Sequence, residues 1–407
     1  MRFFDLPPVI ERMLLVSDKI SDLNFSVGQS PQVEINGKLT PVQPLGVQKL
    51  SPYQTEIISM TLMAGNPEAA HRLANTGSTD LSYSLPSRMR FRVNIFQQRG
   101  TYSIVMRVIP TDVPTLQTLS LPQQLGDIAE LRNGIVLVTG PTGAGKSSTL
   151  AAIIDLINDT AHYHIVTIED PIEFLHTHKS STINQREIGS DVKDFPSALR
   201  AALRQAPKVI LIGEMRDYET TEIALEAAET GHLVLSTLHT IDASKTIDRI
   251  IGLYPKNEEQ VIRTRLAQTF RYIVSQRLIP RADGRGRMAA VEILKSTPRT
   301  REYISEGESE GKSLLDAMRD GKHDGMQDFD SVIKGLIETE VVTQEDGLAF
   351  ATNPNNLLLA LKGMSSSDDF APGDKPPTAA RTPGKVNLRP TLPPRPAANS
   401  SMLDMIE

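Results

Sequence analysis

The chain has 407 residues, of which 39% are hydrophobic and 23% charged, a composition that supports one to three globular domains. Its net charge of −6 gives no general attraction to nucleic acid or anionic lipid, so no direct nucleic-acid partner is expected. The absence of cysteine excludes disulfides, thiol catalysis and cysteine-ligated zinc. Because no apolar run approaches the roughly 18 residues that span a bilayer, we expect a soluble, cytoplasmic protein that contacts a membrane only through a partner.

Residues 1–110 predict a mixed α+β domain. "PPVIERMLLVSDKI" and "SPYQTEIISMTLM" have the spacing and start residues of helices. "VEINGKLTPV" predicts a β-hairpin whose two-residue turn is Asn36-Gly37. "RMRFRVNIF" and "TYSIVMRVI" alternate polar and apolar residues as half-buried strands do. The stretch "PTDVPTLQTLSLPQ", with three prolines and little periodicity, indicates an interdomain linker over residues 111–122.

Residues 123–363 alternate strands with helices, which predicts an α/β domain with a parallel sheet flanked by helices. The predicted strands are "GIVLVTG", "HIVTIED", "VILIGE" and "HLVLSTLH", and the helices between them include "KSSTLAAIIDLIND" and "PSALRAALRQ". From residue 258 onward we expect mostly helix, interrupted by the turn "RADGRGR". Residues 364–407 are rich in proline and poor in aromatic residues, which predicts a disordered tail.

A phosphate-binding loop is the most specific motif in the chain. "GPTGAGKS", residues 140–147, fits G-x-x-x-x-G-K-[ST] and lies between a buried strand and a helix. Gly143 and Gly145 let backbone N–H groups turn toward phosphates, and the helix N-terminus adds partial positive charge. Lys146 would reach the β- and γ-phosphates, and the Ser147 hydroxyl would bind magnesium. The motif therefore predicts ATP and Mg²⁺ as ligands. The predicted nucleotide-binding residues are Gly140, Pro141, Thr142, Gly143, Ala144, Gly145, Lys146, Ser147 and Ser148.

Two acidic residues end apolar strands. Glu169 and Glu214 fall at the carboxyl ends, the edge at which open parallel sheets bind ligands. One would coordinate the metal, directly or through water, and the other would orient and deprotonate the attacking water. The residues alone do not assign these two roles. An alternative is that an acid after a strand caps the next helix, which fits Asp170 before Pro171.

Two histidines flank the strand in "GHLVLSTLHT". His232 and His239 are seven residues apart, so they point to opposite faces and cannot form a two-histidine metal site from that strand. His239 follows the carboxyl end of the strand, where it could sense the γ-phosphate by hydrogen bonding. His232 lies at the other end and is more simply explained as structural.

Arginines share one face of a predicted strand. Arg88, Arg90 and Arg92 alternate with apolar residues, and Arg107 lies on the polar face of the next strand. The simplest explanation is the solvated face of a half-buried sheet. A second is that some of them reach a nucleotide bound by a neighbouring subunit, as arginine fingers do. Contact with nucleic-acid phosphates is a third, against which the acidic chain argues.

Four motifs, in this order, resemble those of the secretion ATPase superfamily of type II and type IV pilus systems. They are the phosphate loop "GPTGAGKSST", an aspartate box "IVTIEDPIEF", an atypical Walker B strand "VILIGEMRD" and a histidine box "GHLVLSTLHT". The resemblance covers about residues 1–350 and is nearest to the pilus retraction (twitching motility) ATPases of the PilT/PilU type. It implies a PAS-like N-terminal domain joined to a RecA-like ATPase domain, assembled as a homohexameric ring.

The resemblance also implies roles for individual residues. Glu169 would be the general base and Glu214 would organise magnesium, although these roles could be exchanged. Arg92 and Arg107 match the family's N-terminal arginines, which approach the nucleotide across the domain interface. His232 and His239 match its histidine box. The implied function is a cytoplasmic, magnesium-dependent ATPase, peripheral to the inner membrane, that drives the pilus platform protein and so retracts the pilus.

Departures from the family pattern leave two alternatives. "STPRTREYISEGE" stands where retraction ATPases have an A-I-R-N-L-I-like motif. This difference favours an accessory, low-turnover ring subunit that associates with paralogous pilus ATPases. The other alternative is an ATPase of a related type IV secretion or DNA-uptake machine. The lack of cysteine excludes the four-cysteine metal module of assembly and type II secretion ATPases, and so favours the retraction branch.

Overall fold

Two β-sheets dominate the structure, a computed structural model that describes residues 5–85, 89–110 and 112–363. The predicted disordered tail, residues 364–407, lies outside the described residues, as does Arg88 of the arginine face. Within the described part of the chain, no helix has the length and apolar character needed to cross a bilayer.

The first sheet is antiparallel and is covered on one face by helices, as the α+β pattern predicts. Its strand order is β3-β2-β1-β6-β5-β4. The strands are β1 Ile20–Phe25, β2 Gln32–Ile35, β3 Lys38–Pro41, β4 Ser78–Leu85, β5 Met89–Gln98 and β6 Thr101–Ile109. The helices are α1 Leu6–Leu14, α2 Pro52–Leu62 and α3 Pro67–Thr76. Along β5, Phe91, Val93 and Ile95 are fully buried in this core, whereas Arg92 between them is exposed.

Local sequence explains the turns of this sheet. Asn36 and Gly37 join β2 to β3 with positive φ angles of 52° and 76°, as a two-residue hairpin turn requires. Ser51 caps α2 through a capping box with Gln54, in which each side chain bonds the other residue's backbone N–H. Both predicted elements are confirmed.

The second sheet has seven strands in the order β13-β12-β7-β11-β10-β8-β9. They are β7 Gly134–Thr139, β8 His164–Glu169, β9 Thr182–Glu187, β10 Val209–Ile212, β11 Leu233–Leu238, β12 Phe270–Pro280 and β13 Arg287–Lys295. All neighbours are parallel except β13, which pairs antiparallel with β12. The predicted α/β sheet is confirmed, but the mostly helical prediction was wrong over β12 and β13. "RADGRGR" is the turn of that hairpin, and β9 was also missed.

Helices cover both faces of the second sheet. They are α4 Lys146–Thr160, α5 Phe195–Ala202, α6 Tyr218–Glu229, α7 Ala243–Ile251, α8 Glu259–Thr269, α9 Pro298–Glu306, α10 Leu314–Asp320, α11 Phe329–Glu338, α12 Gln344–Phe350 and α13 Pro354–Leu361. Every residue of β7 and β11 is buried, because each strand contributes side chains to an apolar core on each face. Leu119 and Leu121, from the predicted linker, pack against the core that includes α4.

Candidate nucleotide-binding and hydrolysis site

A cavity of about 760 Å³ lies at the carboxyl edge of the second sheet. Its walls include the phosphate loop, Glu169, Glu214 and His239. These residues meet because β7, β8, β10 and β11 are parallel and end at the same edge. Arg92 lines the cavity from β5 of the first sheet.

The phosphate loop has the backbone shape of an anion cradle. Gly140, Gly143 and Gly145 have φ angles of 145°, 77° and 91°, a region that residues with a Cβ avoid. A Cβ on Gly140 would lie 2.5 Å from the carbonyl oxygen of Gln276, so the loop packs directly on β12. Such a glycine-lined turn at a helix N-terminus fits the phosphates of a nucleotide.

Lys146 is turned back onto its own loop. Its Nζ donates hydrogen bonds to the carbonyl oxygens of Gly140, at 2.9 Å, and Pro141, at 3.1 Å. Burial lowers the pKa of Lys146, while the negative charges of Glu214 and Glu173 oppose that shift. The ammonium group is therefore held at the mouth of the cradle, where phosphate oxygens could replace the two carbonyls.

Glu169 sits in a position that favours proton uptake. Burial raises the pKa of its carboxyl group, and hydrogen bonds from Thr167 and Gln185 only partly offset that effect. Thr167 Oγ1 donates at 2.6 Å and Gln185 Nε2 at 3.1 Å, both to Glu169 Oε1. A carboxylate with a raised pKa accepts a proton from water more readily than an ordinary one.

Glu214 has the opposite electrostatic environment. Its Oε2 lies 2.7 Å from Arg216 Nη2 and 3.4 Å from His239 Nε2. Burial by itself would raise the pKa of Glu214, but the interactions with Arg216 and His239 outweigh it and lower the pKa overall. An ionised carboxylate suits a divalent cation, and the divergent environments of the two glutamates suit different chemical roles.

Helix capping does not explain either glutamate. The helix after Glu214 is α6, and its N-cap is Asp217, which accepts a bond from Thr220 N at 2.8 Å. Asp170 caps nothing, since the residues that follow it form no helix. The alternative interpretation of Asp170 as a helix cap was therefore wrong.

The two histidines lie at opposite ends of β11, as predicted from their positions on either side of the strand. His239 is exposed at the cavity beside Glu214. His232 precedes the strand at the other edge of the sheet, where its Nδ1 lies 2.9 Å from the carbonyl oxygen of Ala227. The structure thus brings His239 to the candidate site and does not bring His232 there.

Of the two predicted arginines, the structure likewise brings one to the candidate site and not the other. Arg92 and Arg107 are direct neighbours in the β5–β6 register. Only Arg92 lines the cavity, whereas Arg107 Nε donates to Asp22 Oδ1 at 3.0 Å on β1. One arginine of the predicted face therefore reaches the candidate site within the same chain.

Sequence reasoning missed several cavity residues, among them three that carry a full charge. Glu173 follows Glu169 in the aspartate box, and Arg216 follows Glu214 in the Walker B motif, so motif position was the available signal for both. Arg287, whose Nη1 lies 3.5 Å from Gly143 O, begins β13. Nothing in the local sequence around Arg287 indicates proximity to the phosphate loop.

The protein side chains alone do not form a complete magnesium site, and phosphate oxygens of a nucleotide would have to supply further ligands. Within the described residues, no three His, Cys, Asp or Glu side chains are grouped as a metal site. Ser147 and Glu214 both line the cavity, and a hydroxyl and an ionised carboxylate are oxygen donors that Mg²⁺ accepts together with substrate phosphates. These two residues could hold the ion.

The α/β fold and the glycine-lined loop define a phosphate-loop nucleotide-binding protein with a RecA-like domain. The chain belongs to the family of type II/IV secretion system proteins, whose model matches residues 34–344. The resemblance to pilus ATPases of the PilT/PilU type is confirmed by relatives and by a solved structure.

Two curated relatives come from Pseudomonas aeruginosa. The type IV pilus retraction ATPase PilT is 40% identical over 336 residues, which cover 83% of this chain and 95% of the relative. The type IV pilus ATPase PilU is 39% identical over 355 residues, covering 87% and 91%. The match covers nearly the whole length of each relative, so the similarity extends well beyond the phosphate loop.

Two solved structures share the fold. The pilus retraction motor PilT with bound ADP aligns with a TM-score of 0.76 and 38% identity, covering 86% of this chain and 98% of that one. The ATPase DotB of Legionella pneumophila aligns with a TM-score of 0.72 and 31% identity, covering 84% and 94%.

Proposed function

We propose that the protein is a magnesium-dependent, ATP-hydrolysing motor that powers retraction of type IV pili. The observation that carries this proposal is the placement of Glu169 and Glu214 beside the phosphate loop, with pKa values shifted in opposite directions. The family membership and the similarity to the retraction ATPase PilT supply the mechanical context.

Each residue then has a defined part in hydrolysis. The phosphate loop and Lys146 bind the triphosphate, and Glu169 orients a water molecule against the γ-phosphorus. The water oxygen bonds to phosphorus, its proton passes to Glu169, and the bond to the β-phosphate oxygen breaks to release ADP. Ser147 and Glu214 would hold Mg²⁺, which neutralises charge on the phosphates. His239 and Arg92 would complete the polar lining near the γ-phosphate.

Motion would arise between two domains, residues 1–110 and 123–363, joined by the linker 111–122. Arg92 belongs to the first domain and lines the cavity of the second, so ATP, ADP and the empty state would place the domains differently. In a homohexamer, this movement would pass around the ring and drive the inner-membrane platform protein. Arg107 and His232, which the family pattern includes, would then act at contacts between subunits.

Two rival functions have specific support. An accessory ring subunit of low turnover is favoured by the sequence of α9, which departs from the pattern of retraction ATPases. An ATPase of another secretion machine is supported by the family itself, which is described as type II/IV secretion system proteins. Both rivals keep the same nucleotide site and differ in the partner that the ring serves.

The enzymatic test compares Glu169→Gln with the wild type and with Glu219→Gln, an exposed acid paired with Arg200 on the surface. Loss of the base should reduce kcat by about 10²–10⁴-fold with ADP binding retained, because binding depends on the phosphate loop. The control should match the wild type. A Glu169→Gln protein that hydrolyses ATP at the wild-type rate would refute the assigned chemistry.

The cellular test is imaging of surface pili in a deletion strain. Hyperpiliated, non-motile cells are expected if the motor retracts pili. Bald cells would indicate assembly, and normal piliation would direct attention to another secretion machine. A stable ring with negligible turnover in vitro would support the accessory role.

A further inference from the structure

Strand β9 holds the backbone that follows Glu169. Gln185 and Glu187 lie two residues apart on this strand and project from the same face. Gln185 Nε2 donates to Phe174 O at 2.9 Å, and Gln185 Oε1 accepts from His176 N at 2.9 Å. Glu187 Oε2 accepts from Ile172 N at 3.1 Å. Three backbone groups of residues 170–176 are therefore fixed by two side chains of the neighbouring strand.

Glu187 also contacts the N-terminal sheet. It is 3% exposed, and its Oε2 lies 3.2 Å from Arg90 Nη2 on β5. Its Oε1 accepts a hydrogen bond from the Ser82 hydroxyl on β4. A buried carboxylate with an arginine and several donors is strongly held, so this contact joins the two sheets firmly.

Both N-terminal partners of Glu187 are neighbours of Arg92. Ser82 is the direct cross-strand partner of Arg92 in the β4–β5 register. Arg90 lies two residues before Arg92 and therefore projects from the same face of β5. Glu187 thus holds both strands at the point where Arg92 enters the cavity.

We propose that Glu187, with Arg90 and Ser82, is a positioning unit that sets the distance between Arg92 and Glu169 across the cavity. Glu187 pairs with Glu169 in the β8–β9 register but does not line the cavity, so it acts through other residues. The proposal rests on the proposed hydrolytic function. It assigns to a strand outside the four motifs the task of positioning Arg92 of the N-terminal sheet relative to the general base.

The test measures kcat, KM and ADP affinity for Ser82→Ala, Arg90→Gln and Glu187→Gln. A misplaced Arg92 should lower kcat on the order of 10–100-fold while ADP affinity stays within about threefold, since the phosphate loop is untouched. The matched control is Arg265→Gln, which breaks ion pairs to Glu222 and Glu229 at similar exposure, far from the cavity. It should leave kcat unchanged.

A double substitution separates positioning from general loosening of the fold. Because the unit acts through Arg92, Arg90→Gln added to Arg92→Gln should lower kcat no further. The proposal is overturned if Ser82→Ala and Arg90→Gln keep kcat within about twofold of wild type, or if the effects of Arg90→Gln and Arg92→Gln multiply. Should Glu187→Gln fail to fold, the milder Ser82→Ala decides.

The outcome also distinguishes this inference from the proposed function. An active wild type, an inactive Glu169→Gln and a fully active Arg90→Gln would refute the positioning unit and leave the hydrolytic assignment in place. A wild type that binds ATP in a stable ring without hydrolysing it would overturn both.

Discussion

The two walls of the cavity are built differently. One wall is the carboxyl edge of the seven-stranded sheet, where the phosphate loop and both glutamates follow strands buried on both faces. The other is the exposed face of an antiparallel sheet, from which Arg92 reaches in. Groups that make and break bonds must be fixed in position, and strands packed on both faces provide that rigidity. A group on a second sheet can instead report how the two sheets are arranged.

The sharpest way to test this contrast is to remove the cation of the rigid wall. Lys146→Ala should abolish measurable ATP turnover and weaken ADP binding by about 100-fold or more, because the phosphates lose their principal positive charge. Isothermal titration and a phosphate-release assay measure both effects. Lys208→Ala is the matched control, since this lysine also bonds a backbone carbonyl but at the opposite end of the sheet. Equal behaviour of the two variants would contradict the assignment of the loop.

The second wall is tested by paired substitutions at neighbouring register positions. Arg92→Gln should lower kcat on the order of 10³-fold, as loss of an arginine finger does, with ADP affinity largely retained. Arg107→Gln should lower kcat by less than about tenfold, because Arg107 bonds Asp22 outside the cavity. Steady-state kinetics at saturating ATP provide the measurement. An equal loss of kcat in both variants would contradict this distinction and show that both arginines contribute to hydrolysis, with Arg107 acting on the site of a neighbouring subunit.

The pH profile of kcat should depend on the protonation of Glu169, which belongs to the first wall. The raised pKa of Glu169 means that the base is lost by protonation as pH falls, whereas the lowered pKa of Glu214 keeps that residue ionised. Below the pKa of Glu169, kcat should decline about tenfold per pH unit. Stopped-flow measurements between pH 5 and 9 would detect this limb, with Glu169→Gln as the control that lacks it. A flat profile would remove Glu169 from the role of base.

The smallest effect on turnover is expected at Glu292, a buried acid on β13 that accepts bonds from Ala243 N at 2.8 Å and Ser275 Oγ at 3.2 Å. Burial raises its pKa to about 7 from an ordinary 4.5, which corresponds to a pH-dependent contribution of roughly 3 kcal/mol to folding stability. This contribution is fully present below pH 4.5 and is lost as the pH rises through 7. Glu292→Gln should remove that pH dependence and leave kcat within about twofold.

Thermal melts between pH 5 and 9 would measure the effect at Glu292. An exposed acid, Glu302, which pairs with Lys312 on the surface, supplies the control substitution Glu302→Gln. If the two variants melt alike at every pH, the buried acid does not titrate in this range.

The sequence predicted the elements whose cause is local. Asn36-Gly37 dictates a hairpin, and apolar runs that end at a glycine, an acid or a histidine mark β7, β8, β10 and β11. Strand β9, "TINQRE", is polar and lies at the sheet edge, so its conformation depends on pairing with β8 rather than on its own residues. Strand β12 follows α8 without an intervening turn, which hides the change from helical to strand periodicity.

The site residues likewise fall into those that local sequence predicts and those whose position depends on long-range pairing. Glu169, Glu214 and the phosphate loop were predicted because parallel strands bring their carboxyl ends together. Arg287 was missed because its proximity to Gly143 depends on the β12–β13 hairpin, which the sequence analysis did not identify. Arg92 was predicted from alternation together with family resemblance, yet alternation alone could not separate it from Arg107.

The close contact between the phosphate loop and β12 extends the influence of the nucleotide in a second direction. Gln276 meets Gly140 through its carbonyl oxygen and bonds Thr149 of α4 through its side chain. Farther along the same strand, Ile279 packs with Phe329 and Ile333 of α11. A displacement of α11 would therefore reach the phosphate loop through one strand, and we expect it to change how tightly that loop holds a bound phosphate.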